Sequence, residues 1–175
     1  MLLWTGPSDL FTLSQSLPEA TMPELERLFL EFRPDIVHFH HYLLIGIEAL
    51  ALARRCLPNA RLIVTLHDYY AICASDGLML TTPGQSLCNF ASPDACRACF
   101  PKRRADQFVL RRLNLLLHFD LVDIFLAPSE FLRQRYIAWD CRPSASSGSP
   151  MVARPRPGPQ PALPRNATPL PLSAI

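Results

Sequence analysis

Three strand-like runs in this sequence end in polar residues that could carry acid–base or hydrogen-bonding chemistry. The candidates are His40, His41, His67, Asp68, Ser129 and Glu130. Imidazole titrates near neutrality and an adjacent carboxylate can hold one tautomer, so His67 beside Asp68 is the strongest candidate for catalysis at a sugar or phosphate. The structural alternative is that His67 bonds a loop and Asp68 caps a turn.

The other histidines and the third run have lower priority. We place His40, His41, Ser129 and Glu130 among the substrate-binding candidates because polar residues at strand ends line the ligand crevice of doubly wound sheets. Alternation puts His38 on the same side of its strand as His40, and we interpret His38 as a core histidine. Ser129 is also predicted to be the N-cap of the helix that follows it.

Four of the six cysteines lie in an irregular excursion and have the pattern C-x14-C-x7-C-x2-C, formed by Cys73, Cys88, Cys96 and Cys99. Tetrahedral zinc could close such a loop and replace hydrophobic burial as its source of order. An iron–sulfur cluster is a second interpretation, and unliganded buried thiols are a third. A second C-x2-C pair, which would favour metal more strongly, is missing.

Helical and strand-like segments alternate along the part of the chain that must position these residues. Helical spacing predicts helices at residues 23–33, 43–56, 106–119 and 130–139, and short β-rich runs predict strands at 35–40, 61–67 and 123–127. The apolar run at 61–67 is continuous, as in parallel strands covered on both faces. We therefore predict an α/β fold with a Rossmann-like, doubly wound parallel sheet, whose carboxyl strand ends meet at one edge.

Composition divides the chain into a domain at residues 1–139 and a tail at 140–175. Nine of the 18 prolines lie after residue 140, and that stretch has no aromatic residue. It cannot bury enough apolar area to offset the entropy of ordering, so we predict a disordered Pro-rich tail. Within the domain, residues 68–102 form the cysteine-bearing excursion.

Charge and hydropathy exclude several classes of function. The net charge is +2 and the basic excess lies in the tail, so no face of the domain has the positive charge that nucleic acid requires.

The longest apolar run, residues 43–53, is about half the length of a membrane-spanning helix. The N-terminus lacks the features of a secretory signal, and we expect a cytoplasmic protein. The cations near Arg103 and Arg111 could make a peripheral membrane contact or be a solvated helix face. The sequence has no dinucleotide fingerprint, P-loop or elbow serine.

The order of the motifs resembles the N-terminal domain of family 4 glycosyltransferases of the GT-B fold. The matching segments are residues 34–41, an apolar helix, residues 62–70, the cysteine-bearing loop and residues 126–132, within about residues 20–139. The resemblance implies that His67 lies near the transferred sugar and the acceptor, and that Ser129 and Glu130 lie on a cleft-side turn. It implies a nucleotide-sugar donor, a sugar or lipid-linked acceptor and no metal for the transfer, so any zinc here would be structural.

The resemblance also implies parts that these 175 residues do not show. Family members open with a strand and a glycine-rich loop and continue into a donor-binding domain. We therefore expect an incomplete GT-B N-terminal domain, the acceptor-binding half of a hexosyl-transferring enzyme, inactive alone. The alternative is a non-catalytic Rossmann-like interaction module with a zinc-pinned loop.

The tail itself suggests a hypothesis about the reading frame. Trp139 is encoded only by TGG, so reading one base back forces glycine and then leucine from the codons of Asp140 and Cys141. A glycine at this point fits the family pattern. We interpret the tail as an out-of-frame translation of a longer enzyme.

Overall fold

The computed structural model of the protein describes residues 5–141 and 151–153. In chain order the elements are β1 (Ser8–Asp9), β2 (Ser14–Gln15), α1 (Pro18–Phe32), β3 (Ile36–Phe39), α2 (Glu48–Cys56), β4 (Arg61–Thr65), α3 (Pro93–Cys99), α4 (Ala105–Phe119), β5 (Ile124–Ala127), α5 (Glu130–Ala138) and β6 (Met151–Ala153). The strands β1 and β2 form a small antiparallel pair. The other four strands form the main sheet.

All neighbouring strands of the main sheet are parallel, in the order β3-β4-β5-β6. Val37 pairs with Leu62, and Val64 pairs with Phe125. Parallel strands joined by helices are the Rossmann-like α/β architecture that the sequence predicts, and this class is confirmed. Because the strands share one direction, the segments that follow β3, β4 and β5 all lie at the same edge of the sheet.

One face of this sheet is buried and the other is open. Leu62, Val64 and Phe125 are fully buried on the first face, whereas Ile36 is 59% exposed on the second. The described strands never reverse their order, so right-handed crossovers place the connecting helices on the same face. The described part of the sheet is therefore wound in one direction. Along each of β3, β4 and β5, buried side chains on one face alternate with less buried side chains on the other, so the sheet is not covered by helices on both faces.

Two helices begin at different residues from those that the pattern predicts. α1 begins at Pro18, where a proline fits the first turn, and continues through Pro23. α2 begins only at Glu48, because Gly46 has a φ of +88°, a left-handed conformation that interrupts a right-handed helix. In contrast, α4 and α5 lie close to the predicted positions.

The excursion at 68–102 contains one regular element, α3, which the sequence pattern does not predict. Its N-cap is Ser92, whose hydroxyl accepts a hydrogen bond from the amide of Ala95 at 3.2 Å. A helix of seven residues is too short to show a clear apolar periodicity, so the main sequence feature that indicates α3 is this N-cap.

The two cations proposed for membrane contact are both engaged within the domain. Arg111 is 6% exposed and donates hydrogen bonds to backbone carbonyls. The guanidinium of Arg103 lies 3.6 Å from the centre of the Phe11 ring. The expectation that Arg111 presents its charge on the surface is therefore wrong, because the fold uses that side chain internally.

The prediction of a disordered tail differs from the structure at two places. Cys141 is buried, and β6 pairs with β5 at the edge of the sheet. An edge strand has unpaired backbone groups, and β6 satisfies part of them despite the proline-rich composition around it. The rest of the predicted tail, residues 142–150 and 154–175, lies outside the described residues.

Among the helices of the described segments, none combines the length and the apolar composition that crossing a bilayer requires.

Candidate functional site

The candidate site lies at the carboxyl edge of the main sheet, where β3, β4 and β5 end. β3 is followed by His40 and His41, and β4 is followed by Leu66, His67 and Asp68. The pairing of Phe39 with Val64 places the ends of these two strands side by side. The sheet thus delivers residues that are far apart in sequence to one place.

Four imidazole rings form a continuous group at this edge. The ring centre of His40 lies 4.2 Å from that of His38 and 6.2 Å from that of His67. The ring of His67 is in turn 6.3 Å from that of His41, and their planes differ by 8°. We call His38, His40, His41 and His67 the histidine row.

His41 is fixed in one tautomer by its two neighbours. Its Nδ1 accepts a hydrogen bond from the amide of Leu43 at 2.9 Å, and its Nε2 lies 2.7 Å from Oδ2 of Asp68. A nitrogen that accepts from an amide carries no proton, so the ring proton is on Nε2 and is donated to the carboxylate. His41 and Asp68 therefore form an oriented donor–acceptor pair.

Asp68 is held as a carboxylate. Burial alone raises its pKa, but the hydrogen bonds from His41 and from the amide of Tyr70, with the nearby His41 and His67 rings, leave the pKa below its ordinary value. The sequence favours Asp68 as the partner that orients His67. The structure instead pairs Asp68 with His41, because β3 delivers His41 next to the turn that Asp68 begins.

His67 is exposed at the centre of the row, and its ring nitrogens have no hydrogen-bond partner within residues 5–141 and 151–153. Its neighbours fix the surroundings but leave both nitrogens available. A ligand that lies on this edge can thus donate to His67 or accept from it.

Hydrogen bonds from buried side chains hold the backbone of the loop that carries His67. The hydroxyl of Tyr136, a fully buried residue of α5, donates to the carbonyl of Asp68 at 3.0 Å. Tyr42 lies 3.4 Å away from the Tyr136 hydroxyl and can donate to it. Arg111 donates to the carbonyls of Tyr70 and Ala71. Burial lowers the pKa of Arg111, and electrostatic interactions with neighbouring groups, Tyr42 first among them, oppose this lowering.

Ser129 and Glu130 follow β5 at the same edge, but the structure gives them local partners. The Ser129 hydroxyl accepts a hydrogen bond from the amide of Leu132 at 3.2 Å, as the N-cap prediction requires. Glu130 accepts hydrogen bonds from Arg133 and Gln134, which lower its pKa to about 2. Neither side chain contacts the histidine row in the described parts of the chain.

The interpretation of His38 as a core histidine is wrong. His38 is exposed on the open face of the sheet, and its Nε2 lies 2.7 Å from the hydroxyl of Thr65 on β4. Partial desolvation, and then the charges of His40 and His67, lower the pKa of His38. The predicted alternation along β3 is correct, because His38 and His40 lie on the same side. That side is the exposed face of the sheet and not the face that packs in the core.

The four candidate metal ligands surround one small cavity. Cys73, Cys88, Cys96 and Cys99 all line a space of about 30 Å³ beneath α3. All four are free thiols. No group of three or more His, Cys, Asp or Glu side chains in the ranges 5–141 and 151–153 is arranged to hold a metal ion.

Sequence reasoning missed two residues that shape the site. Arg111 has the appearance of a surface cation on an amphipathic helix, although its position on the apolar stripe with Phe108 and Leu115 is a signal of burial. Tyr136 carries no motif, and its role depends on the packing of α5 beneath the loop.

A comparison with protein families now identifies the group to which this arrangement belongs. Residues 11–146 match the model of Glycosyltransferase Family 4, a range that covers well over half of the chain. The chain belongs to Glycosyltransferase Family 4. A search of curated proteins and a search of solved structures returned no significant match. Membership of this glycosyltransferase family implies that its substrates are sugars.

Proposed function

We propose that this domain is the acceptor-binding half of a glycosyltransferase that transfers a hexosyl group from a nucleotide-sugar to a sugar or lipid-linked acceptor. The observation that carries the proposal is His67, exposed at the carboxyl edge of a parallel sheet with both ring nitrogens free of partners among the described residues. This edge is where Rossmann-like sheets bind their ligands.

His67 is suited to contact a sugar hydroxyl at the reacting end of the acceptor. A neutral imidazole has one donor and one acceptor nitrogen, and a hydroxyl can satisfy either. The loop beneath it is fastened by Tyr136 and Arg111, so the ring is presented from a fixed backbone. Preorganised donors of this kind stabilise charge that develops in the transition state.

Each of the remaining site candidates receives a distinct role in the proposal. Asp68 is a positioning residue that orients His41, and His40 and His41 line the edge on either side of His67. Ser129 fixes the start of α5, whose N-terminus has a positive dipole. A substrate contact of Glu130 stays a prediction, because Arg133 and Gln134 already use its oxygens.

We also propose that the 175-residue chain binds an acceptor but does not transfer sugar at enzymatic rates. In this family pattern, stabilisation of the departing diphosphate falls to a donor-binding domain, and such electrostatic contributions are worth several kcal/mol. The transfer itself is proposed to need no metal, and the domain to act in the cytoplasm or at the inner face of its membrane.

The experiment is a binding and turnover comparison of the chain with its His67→Ala variant. The probes are a panel of methyl hexosides and disaccharides for binding, followed by the same panel with UDP- and GDP-hexoses for transfer. We expect weak glycoside binding that falls roughly tenfold in the variant, the value of one lost hydrogen bond. His118→Ala on α4 is the control, because the His118 ring bonds the carbonyl of Asn114 in its own helix.

Three results would contradict the proposal. Equal binding by the chain and His67→Ala would remove His67 from the site. No binding by any glycoside, combined with capture of a protein partner, would favour the interaction module. Transfer at enzymatic rates by residues 1–175 would refute the requirement for a separate donor domain.

A further inference from the structure

We propose that Cys73, Cys88, Cys96 and Cys99 form a structural Zn²⁺ site that fixes the excursion at 68–102. The proposal stands apart from the proposed function, because it concerns how the loop is ordered and not what the sheet edge binds. The four residues come from three separate parts of the excursion, yet the fold brings all of them to the wall of one cavity.

The backbone of this cysteine group is already held in place. The amide of Cys73 donates to the carbonyl of Tyr69 at 2.7 Å, and the amide of Cys88 donates to that of Met79 at 2.8 Å. The amide of Cys96 donates to the carbonyl of Ser92, the N-cap of α3, and the carbonyl of Cys99 accepts from the hydroxyl of Thr82, both at 2.8 Å. The convergence of the four cysteines therefore follows from the path of the chain.

The sulfur atoms themselves are turned toward nearby carbonyls. Sγ of Cys73 lies 3.8 Å from the carbonyl oxygen of Ser75, and Sγ of Cys88 lies 3.5 Å from that of Phe90. Both sulfurs lie where a thiol can donate to a carbonyl oxygen, and the described side chains do not have coordination geometry. Zinc binding would release the four thiol protons and turn the sulfurs into the cavity to form a tetrahedral tetrathiolate.

The charge around the cavity also fits a thiolate–metal centre. A zinc ion with four thiolates carries two net negative charges, and the guanidinium of Arg111 lies close in the chain fold, because it donates to the carbonyl of Ala71, two residues before Cys73. Arg111 therefore compensates part of the charge that the site would acquire.

The first part of the excursion packs in the core through Ala71, Ile72 and Met79, whereas no residue from 80 to 102 is buried. Leu87 is 77% exposed and Phe90 is 60% exposed, although both lie between two of the cysteines. A loop of this length in a compact domain needs an internal source of order. The cysteine group lies in the only part of this segment where four soft ligands meet.

The same site would stabilise the loop that carries His67. The amide of Cys73 donates to the carbonyl of Tyr69, and the Arg111 guanidinium donates to the carbonyls of Tyr70 and Ala71 in the same turn. Metal binding at Cys73 would thus fix one end of the segment that begins with His67 and Asp68.

The test measures zinc and iron by inductively coupled plasma mass spectrometry in the purified 175-residue chain, followed by replacement with Co²⁺. We expect about one zinc per chain, little iron and, with Co²⁺, the charge-transfer bands of tetrahedral thiolate ligation. Removal of zinc by a chelator should lower the melting temperature by roughly 5 °C or more.

Matched variants separate the proposed ligands from the other cysteines. Cys96→Ser with Cys99→Ser should abolish zinc retention, whereas Cys56→Ser on α2 should retain it, because Cys56 lies against Glu26 and not at the cavity. If the double variant does not fold, the chelator and Co²⁺ measurements on the unaltered chain still decide the question. A chain without stoichiometric zinc that gives no cobalt–thiolate bands, or one that holds iron instead, overturns the proposal.

Discussion

Replacement of Arg111 by methionine is the sharpest test of how the fold holds its functional loop. The guanidinium donates to the carbonyls of Phe11, Tyr70 and Ala71, and the side chain is 6% exposed. Hydrogen bonds from a charged donor contribute about 1.5–3 kcal/mol each. Their sum is an upper limit, because burying the guanidinium costs several kcal/mol of hydration.

We therefore expect Arg111→Met to lower the free energy of unfolding by about 1–3 kcal/mol, because buried carbonyls lose their donor while the cost of burying the guanidinium is also removed. Methionine fills a similar volume, so the loss reports the hydrogen bonds rather than a cavity. The assay is urea denaturation, combined with hydrogen exchange at the amides of residues 70–73. Faster exchange there should accompany the loss of stability.

The neighbouring arginine provides a matched control. Arg112 donates to Asp140 and to the carbonyl of Trp139 but is more exposed than Arg111. Arg112→Met should cost less than about 1 kcal/mol, as for other exposed pairs. A loss below about 1 kcal/mol in Arg111→Met, with unchanged exchange at 70–73, would refute the claim that Arg111 fastens the loop.

Two further outcomes follow from the same geometry, and a third follows from the codons of the tail. The pKa of Asp68 is lowered in the folded state, so its carboxylate stabilises the fold above its unfolded pKa of about 3.9 and loses this effect as the pH falls through the folded pKa. The difference in unfolding free energy between the chain and Asp68→Asn, measured by denaturation, should therefore shrink below about pH 4. A difference that stays constant with pH would show that the pairing with His41 does not depend on the charge of Asp68. Ser129→Ala should lower the free energy of unfolding by about 1 kcal/mol through loss of the N-cap of α5, whereas Ser129→Asp should keep the cap and the stability. Equal unfolding free energies of the chain and both variants would show that the cap does not stabilise the protein. Sequencing of the coding DNA should show the shifted register open well beyond Trp139, and a stop codon soon after that position would end the out-of-frame hypothesis.

The sequence was sufficient for the parts of the fold that local patterns determine. β3, β4, β5 and the cap at Ser129 have clear apolar runs or cap residues, and all four are confirmed. The strand ends that carry the histidine row could be predicted for the same reason. Parallel strands must place their carboxyl ends at a common edge.

The remaining features depend on contacts between distant segments. The pairing of His41 with Asp68 joins residues that are 27 positions apart, and no local pattern distinguishes it from a pairing of Asp68 with its neighbour His67. Likewise, the burial of Arg111 depends on carbonyls that two other segments supply. The open face of the sheet exposes His38 because the described crossovers all lie on the other face.

The most direct test of the central claim is a histidine-selective NMR titration of the chain with the glycosides that bind it. If the carboxyl edge of the sheet is the acceptor site, the ring signals of His67 shift most, those of His40 and His41 shift less, and those of His118 stay in place. Saturating binding that leaves the His67 ring signals unchanged would place the acceptor elsewhere on the domain.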